Sequence, residues 1–213
     1  MSLRNKTKYL FYYGIFPYFA LYFTIQYFIK KSEFDFLTRI DTFIPFVPEF
    51  IWIYHTLFPA IILLTVFIIQ KKTLYWDTLS AYVIAIGVLA IFYVVFPSFY
   101  PRHELMVTNL SEWLVHATWQ IDAAHNTFPS SHVTFSWLLF CFFTKTSLAA
   151  NKKWTVPLVF TWASMVSFST LFLKQHYLLD VFSGVLLAVL CFYFVSLLSS
   201  LSMDIVLKLS LEN

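Results

Sequence analysis

The sequence predicts an all-α membrane protein: a six-transmembrane-helix bundle with short interfacial helices on its outer face. Three observations predict it. Charged residues make up 12% of the 213 residues and hydrophobic ones 60%, whereas an ordinary soluble domain is about a quarter charged. So few polar groups cannot cover a water-facing surface at this size. The charges also fall like punctuation, leaving runs that can cross about 30 Å of hydrocarbon at about 1.5 Å per residue. Finally, Trp and Tyr gather near the ends of those runs, as in interfacial belts, while 26 Phe fill them. This composition excludes a soluble globule, a disordered chain and a disulfide scaffold. A net charge of +3 with no basic stripe excludes nucleic acid as a partner.

Taken in order, the first span lies between Lys8 and Lys30. No small-residue cleavage site follows it, so it reads as an uncleaved helix and not a signal peptide. In Ser32 to Pro48, Phe34, Leu37, Ile40 and Ile44 recur at helical spacing beside Glu33, Asp35, Arg39 and Asp41. That pattern fits an interfacial helix or a plain connecting loop. The second span lies between Glu49 and Lys71, the third between Asp77 and Arg102. Arg102 to Asp122 is the long loop of a tightly connected chain, amphipathic through Leu110, Trp113, Leu114 and Ile121, and long loops in compact folds tend to be functional. The fourth span, Ser130 to Ala150, carries His132 and Lys145; the fifth lies between Lys153 and Lys174 and the sixth between Asp180 and Asp204. With no internal repeat and no separating linker, residues 1–213 read as a single domain. Cys141 and Cys191 fall inside spans, outside any metal or redox spacing, and read as small apolar residues.

Orientation follows from Lys and Arg. A cytoplasmic N-terminus puts nine basic residues inside, among them Arg4, Lys6, Lys8, Lys71, Lys72, Lys145, Lys152 and Lys153, and five outside: Lys30, Lys31, Arg39, Arg102 and Lys174. That is the direction of the positive-inside rule. Both termini are then cytoplasmic in a multi-pass protein of the cell membrane.

Polar groups at membrane depth are costly, so each raises a functional question. His103, His116, His125, His132 and His176 all fall on the predicted outer side, with Arg102, Lys174 and Asp180. His176 and Asp180 stand four apart, on one helix face. A carboxylate there fixes the imidazole tautomer and readies the other ring nitrogen as nucleophile or base. Phe128-Pro-Ser-Ser-His132 opens the fourth span, where free backbone N–H groups, two hydroxyls and the helix dipole can cradle a phosphate. Arg102 supplies a bidentate fork for phosphate oxygens, and Lys174 adds positive charge. No metal spacing such as HExxH occurs. His55 reads as an interhelical hydrogen-bonding partner, and Asp122 has no assigned role.

These motifs resemble the type-2 phosphatidic acid phosphatase superfamily, which includes membrane lipid phosphatases and lipid phosphotransferases such as inositol phosphorylceramide synthases. Its Pro-Ser-Gly-His motif is met by Pro129, Ser130 and His132, with Ser131 in the glycine place; its Ser-Arg…His…Asp motif is met by Ser169, His176 and Asp180. The chain departs at Thr170, where the family has Arg, at His103, where Arg102 would be followed by Pro, and at Val95 in the place of the family's Lys. Lys174 is the candidate to compensate. The resemblance implies that His176 attacks phosphorus, Asp180 orients it, and His132 protonates the leaving alcohol. Arg102, Lys174, Ser130 and Ser131 would hold the phosphoryl oxygens, without metal or cofactor. The partners implied are the bilayer and a phospholipid or isoprenoid phosphate. Three functions follow: a lipid phosphatase, such as one for phosphatidic acid or a polyprenyl pyrophosphate; a lipid head-group phosphotransferase; or a transporter or scaffold that has lost the reaction.

Overall fold

The computed structural model describes residues 16–29, 34–68, 71–102, 104–122 and 124–211. These form helices α1 (Phe16–Phe28), α2 (Ile51–Tyr54), α3 (Leu57–Ile68), α4 (Lys72–Val95), α5 (Leu110–Ile121), α6 (Ser131–Phe143), α7 (Ser147–Asn151), α8 (Thr155–Phe172) and α9 (Leu178–Leu211). Among the described residues there is no β-strand, only the isolated bridges Phe34–Ser98 and Phe99–His125. Three helices are long and apolar enough to cross a membrane: Lys72–Val95, Thr155–Phe172 and Leu178–Ser202.

The remaining three predicted spans differ in instructive ways. The first is helical over Phe16–Phe28, while its beginning, residues 9–15, lies outside the described residues, as do Arg4, Lys6, Lys8, Lys30, Lys31 and His103. The second is interrupted at His55–Thr56. Pro59 has no N–H to give the His55 carbonyl, and its ring crowds that carbonyl. Thr56 Oγ1 bonds back to the Ile53 carbonyl at 2.6 Å and accepts the Trp162 indole N–H of α8 at 2.9 Å. The fourth divides into α6 and α7 because Thr144 and Thr146 bond back to the carbonyls of Cys141 and Phe143, and Thr146 caps α7 through the Ala149 N–H at 3.2 Å.

The two amphipathic stretches also part company. Residues 110–121 are helical as expected: Asn109 caps α5 by accepting the Glu112 N–H at 2.9 Å, and Glu112 reaches back to Thr108 N and Oγ1 at 2.7 Å. The stretch from 34 to 47 is not an α-helix; it holds one 3-10 turn, Asp41–Phe43. Here the side chains outcompete the helix for backbone groups. Asp35 accepts from Leu37 N, and Asp41 accepts from Thr38 N and Oγ1 and from Leu178 N.

At the centre stands α6, packed on α9, α8, α3 and α4. Val133, Phe135, Leu138, Leu139, Phe142 and Phe143 are buried, and apart from His132 at its start only the stripe of Trp137, Phe140 and Cys141 is half-exposed, which marks a helix largely enclosed by others. In lipid, close packing and interhelical hydrogen bonds hold helices together more than apolar burial does. Tyr82 donates to the Phe135 carbonyl at 3.1 Å and Trp137 to Ser167 Oγ at 3.0 Å. Closest is α6 on α9: a Cβ on Gly184 would lie 2.8 Å from the Ser130 carbonyl oxygen and 3.0 Å from Val133 Cβ. Outward, Ile62, Leu63, Ile91, Val94, Leu186, Leu190, Leu197 and Leu201 are exposed, an apolar band suited to a hydrocarbon environment.

Candidate active site

Two helix beginnings and one helix end build the site. Ser130 is the N-cap of α6, its Oγ accepting the Val133 N–H at 3.5 Å, while its own N–H donates to the Asp180 carbonyl at 3.0 Å. The start of α6 is therefore tied directly to the first turn of α9. Pro129, joined to Phe128 by a cis peptide bond, is held from α4 by the Tyr93 hydroxyl at 3.1 Å.

The end of α8 sets His176. Gln175 N–H returns to the Thr170 carbonyl at 2.9 Å and Lys174 N–H to the Leu171 carbonyl at 3.1 Å, with Lys174 left-handed at φ 54. This is a Schellman closure, normally built on glycine. The His176 N–H also reaches the Thr170 carbonyl, at 3.2 Å. Asp180, wholly buried, then takes two donors on Oδ2: His176 Nδ1 at 3.3 Å and Tyr177 N–H at 2.9 Å. Asp180 thus caps α9 and orients the imidazole at once, which directs the Nε2 edge elsewhere.

A small polar pocket holds His176, His132, Arg102, Ser131, Asn126 and Gln175, with Tyr22, Asp122, His125 and Thr127 completing its wall. Arg102 is fixed by its Nη atoms, which donate to the Lys174 carbonyl at 2.8 Å and to Gln175 Oε1 at 2.5 Å. Its guanidinium lies 5.3 Å from the Trp119 ring centroid. Burial lowers the Arg102 pKa, opposed by the charge of Asp122. Among the buried nitrogens of the pocket, Arg102 Nε, Asn126 Nδ2 and Gln175 Nε2 have no hydrogen-bond partner among the described residues.

Of the residues expected at the site, His176, Asp180, His132, Arg102 and Ser131 come together. Ser131 accepts the Tyr18 hydroxyl at 2.8 Å. Ser130 faces its own helix as the cap, and its side chain is not in the pocket wall. Lys174 is not brought to the pocket: its ammonium donates to the Ile44 carbonyl at 2.5 Å and approaches the Asp41 carbonyl at 3.4 Å. Burial lowers its pKa, opposed by Asp41. Thr170 is buried with its hydroxyl on the Ser167 carbonyl.

Other residues arrive unannounced. The Asp122 carboxyl accepts the Tyr22 hydroxyl and, at 3.4 Å, the Tyr54 hydroxyl. Tyr54 OH lies 3.4 Å from His132 Nδ1, its ring stacked on the imidazole with centroids 4.1 Å apart. A relay from His132 through Tyr54 to Asp122 results. Burial raises the Asp122 pKa against the opposing effects of the Tyr22 hydrogen bond and Arg102. His55 bonds Thr118 of α5 across helices at 3.0 Å.

Tyr22, Asp122 and His132 also line a second, largely apolar cleft of about 150 Å³, walled by Tyr18, Phe19, Phe23, Phe58 and Ile121. The aromatic cleft and the polar pocket share these three residues. Residues 75–204, more than half of the chain, match the family model described as the PAP2 superfamily. No curated protein and no solved structure matches the chain.

Proposed function

The chain belongs to the PAP2 superfamily, whose members are phosphoesterases, and on that premise we propose that it is a membrane lipid phosphoesterase, a phosphatase or a head-group phosphotransferase, working through a phosphohistidine. One observation carries the reading: a polar pocket lined by three histidines and an arginine shares a wall with an aromatic cleft. Such a pair suits a molecule with an anionic head and an apolar tail. The tail occupies the cleft beside Phe19, Phe23 and Phe58, and the phosphoryl group meets Arg102, Ser131, His132 and His176.

In the first step His176 Nε2 bonds to phosphorus, and the P–O bond to the lipid alcohol breaks. Asp180 on Nδ1 stabilises the charge that the ring acquires. His132 gives its proton to the departing oxygen; it then takes one from the water that attacks phosphorus, and the N–P bond breaks. Arg102 steadies the phosphoryl oxygens as charge redistributes over them.

On this reading the helices make six spans with both termini cytoplasmic and the pocket toward the outer face. The balance of Lys and Arg supports that orientation. The decisive assay is loss of substrate with purified protein, from phosphatidic acid, a polyprenyl pyrophosphate and phosphatidylglycerol, with His176→Ala alongside. Activity that survives His176→Ala eliminates the phosphohistidine. For orientation, Glu112→Cys in a background lacking Cys141 and Cys191 should react with an impermeant thiol reagent added to intact cells. Labelling only after lysis reverses the topology.

A further inference from the structure

Charge in the polar pocket is scarce. Arg102 is the permanent cation among its described lining residues, because Lys174 is engaged by the carbonyls of residues 41–44. The ionisable groups facing the pocket are Tyr22, Asp122, His125, His132 and His176, with Asp180 behind His176. During transfer, His132 must carry a proton and Asp180 must be a carboxylate, and those charges offset each other. Asp122 contributes no positive charge in either protonation state. Burial and Arg102 lower the His125 pKa, which keeps that imidazole neutral near pH 7. What remains is one guanidinium.

Hydrogen-bonding capacity, by contrast, is plentiful. Asn126 and Gln175 are 3% and 2% exposed, and each places in this pocket a side chain with an amide nitrogen that has no partner among the described residues; Arg102 Nε is a third such donor, against one unpartnered acceptor in the pocket wall, Asn126 Oδ1. Buried donors of this kind are costly in isolation, so their concentration around one space points to an acceptor with several oxygens. Neutral amides bind oxygen without adding charge.

We propose, resting on the phosphoesterase reading above, that the pocket is matched to a phosphoryl group with a single negative charge, that of a lipid phosphodiester, held by Arg102, Asn126 and Gln175. A phosphomonoester carries about −1.5 to −2 near neutral pH, more than one buried guanidinium balances, and uncompensated charge is strongly disfavoured away from water. With a diester, His176 Nε2 bonds to phosphorus as one ester P–O bond breaks. The departing alcohol takes the His132 proton, and the adduct retains its second ester. Water or an alcohol then attacks phosphorus, returns a proton to His132 and breaks the N–P bond, releasing a monoester or a new diester.

The full chain in detergent is tested at pH 8 with phosphatidic acid and phosphatidylglycerol of identical acyl chains. Phosphatidylglycerol should be turned over with a kcat/KM at least about tenfold higher. Intact-mass analysis of the His176 peptide after a neutral quench should find an ester-bearing phosphoryl adduct. A phosphatidic acid rate equal to or above that of phosphatidylglycerol, with a bare phosphoryl adduct, overturns the charge match and leaves the phosphohistidine standing. No adduct at His176 with either lipid overturns both. Asn126→Lys adds a cation at a left-handed residue, φ 60, and Lys174 at φ 54 already shows a lysine in that conformation. It should move the preference toward phosphatidic acid by about tenfold; an unchanged ratio in folded protein contradicts the proposal. Should Asn126→Lys fail to fold, the wild-type ratio decides alone.

Discussion

At φ 54, Lys174 closes α8 in a conformation most side chains avoid, while its ammonium fastens the loop at residues 41–44. Its contribution is to stability. Lys174→Met should lower thermal stability by about 1 kcal/mol, the worth of a typical hydrogen bond, with KM unchanged; Arg102→Met should instead raise KM. Thermal unfolding and steady-state kinetics on the two variants separate these roles. Asp122 calls for a sign argument. Its folded pKa is raised, so stability is fullest below the unfolded carboxyl value, about 3.9, and is lost as pH rises toward the folded value. Asp122→Asn should therefore raise the melting temperature at pH 7, with the gain vanishing toward pH 4. Tyr54→Phe keeps the ring on His132 but breaks the relay to Asp122, and kcat should fall about tenfold with KM unchanged. What the sequence made legible here was local: His176 and Asp180 four apart, and Pro-Ser-Ser-His at a helix start. Tyr54 and Tyr22 lie 68 and 100 residues from Asp122, and no periodicity connects residues so distant.

The elements were legible wherever apolar runs lacked local competitors. α4, α8 and α9 lie where the charge-free gaps put them, although α4 begins ahead of Asp77 and ends just before Phe96 and Pro97. Interruptions came from residues whose hydrogen-bonding choices the hydropathy pattern does not record: Pro59, Thr56, Thr144 and Thr146 in the spans, Asp41 in the amphipathic stretch. Asp41 is the clearest case, because its side chain caps α9 from 137 residues away. Packing between α6 and α9 depends on Gly184. Gly184→Ala places a methyl against the Ser130 carbonyl and should cost about 1–3 kcal/mol, moving His132 relative to His176 and lowering activity as well. Gly87, with nothing within 4 Å of a new Cβ, should accept Ala with a neutral or slightly favourable effect, about 1 kcal/mol at most. Thermal unfolding in one detergent tests the pair.

At the scale of the molecule, composition made membrane residence legible before any motif was considered, and the exposed apolar band of the bundle is its structural counterpart. The route to the pocket was not legible, because the aromatic cleft is assembled from α1, the α2–α3 turn and α5, and none of these alone encodes a cavity. That cleft has a kinetic consequence. A substrate that enters by way of Phe19, Phe23 and Phe58 is a solute of the bilayer and not of water. Its governing concentration is a mole fraction, so adding inert lipid at constant bulk substrate should slow the reaction, while diluting the whole vesicle suspension should leave turnover per enzyme unchanged.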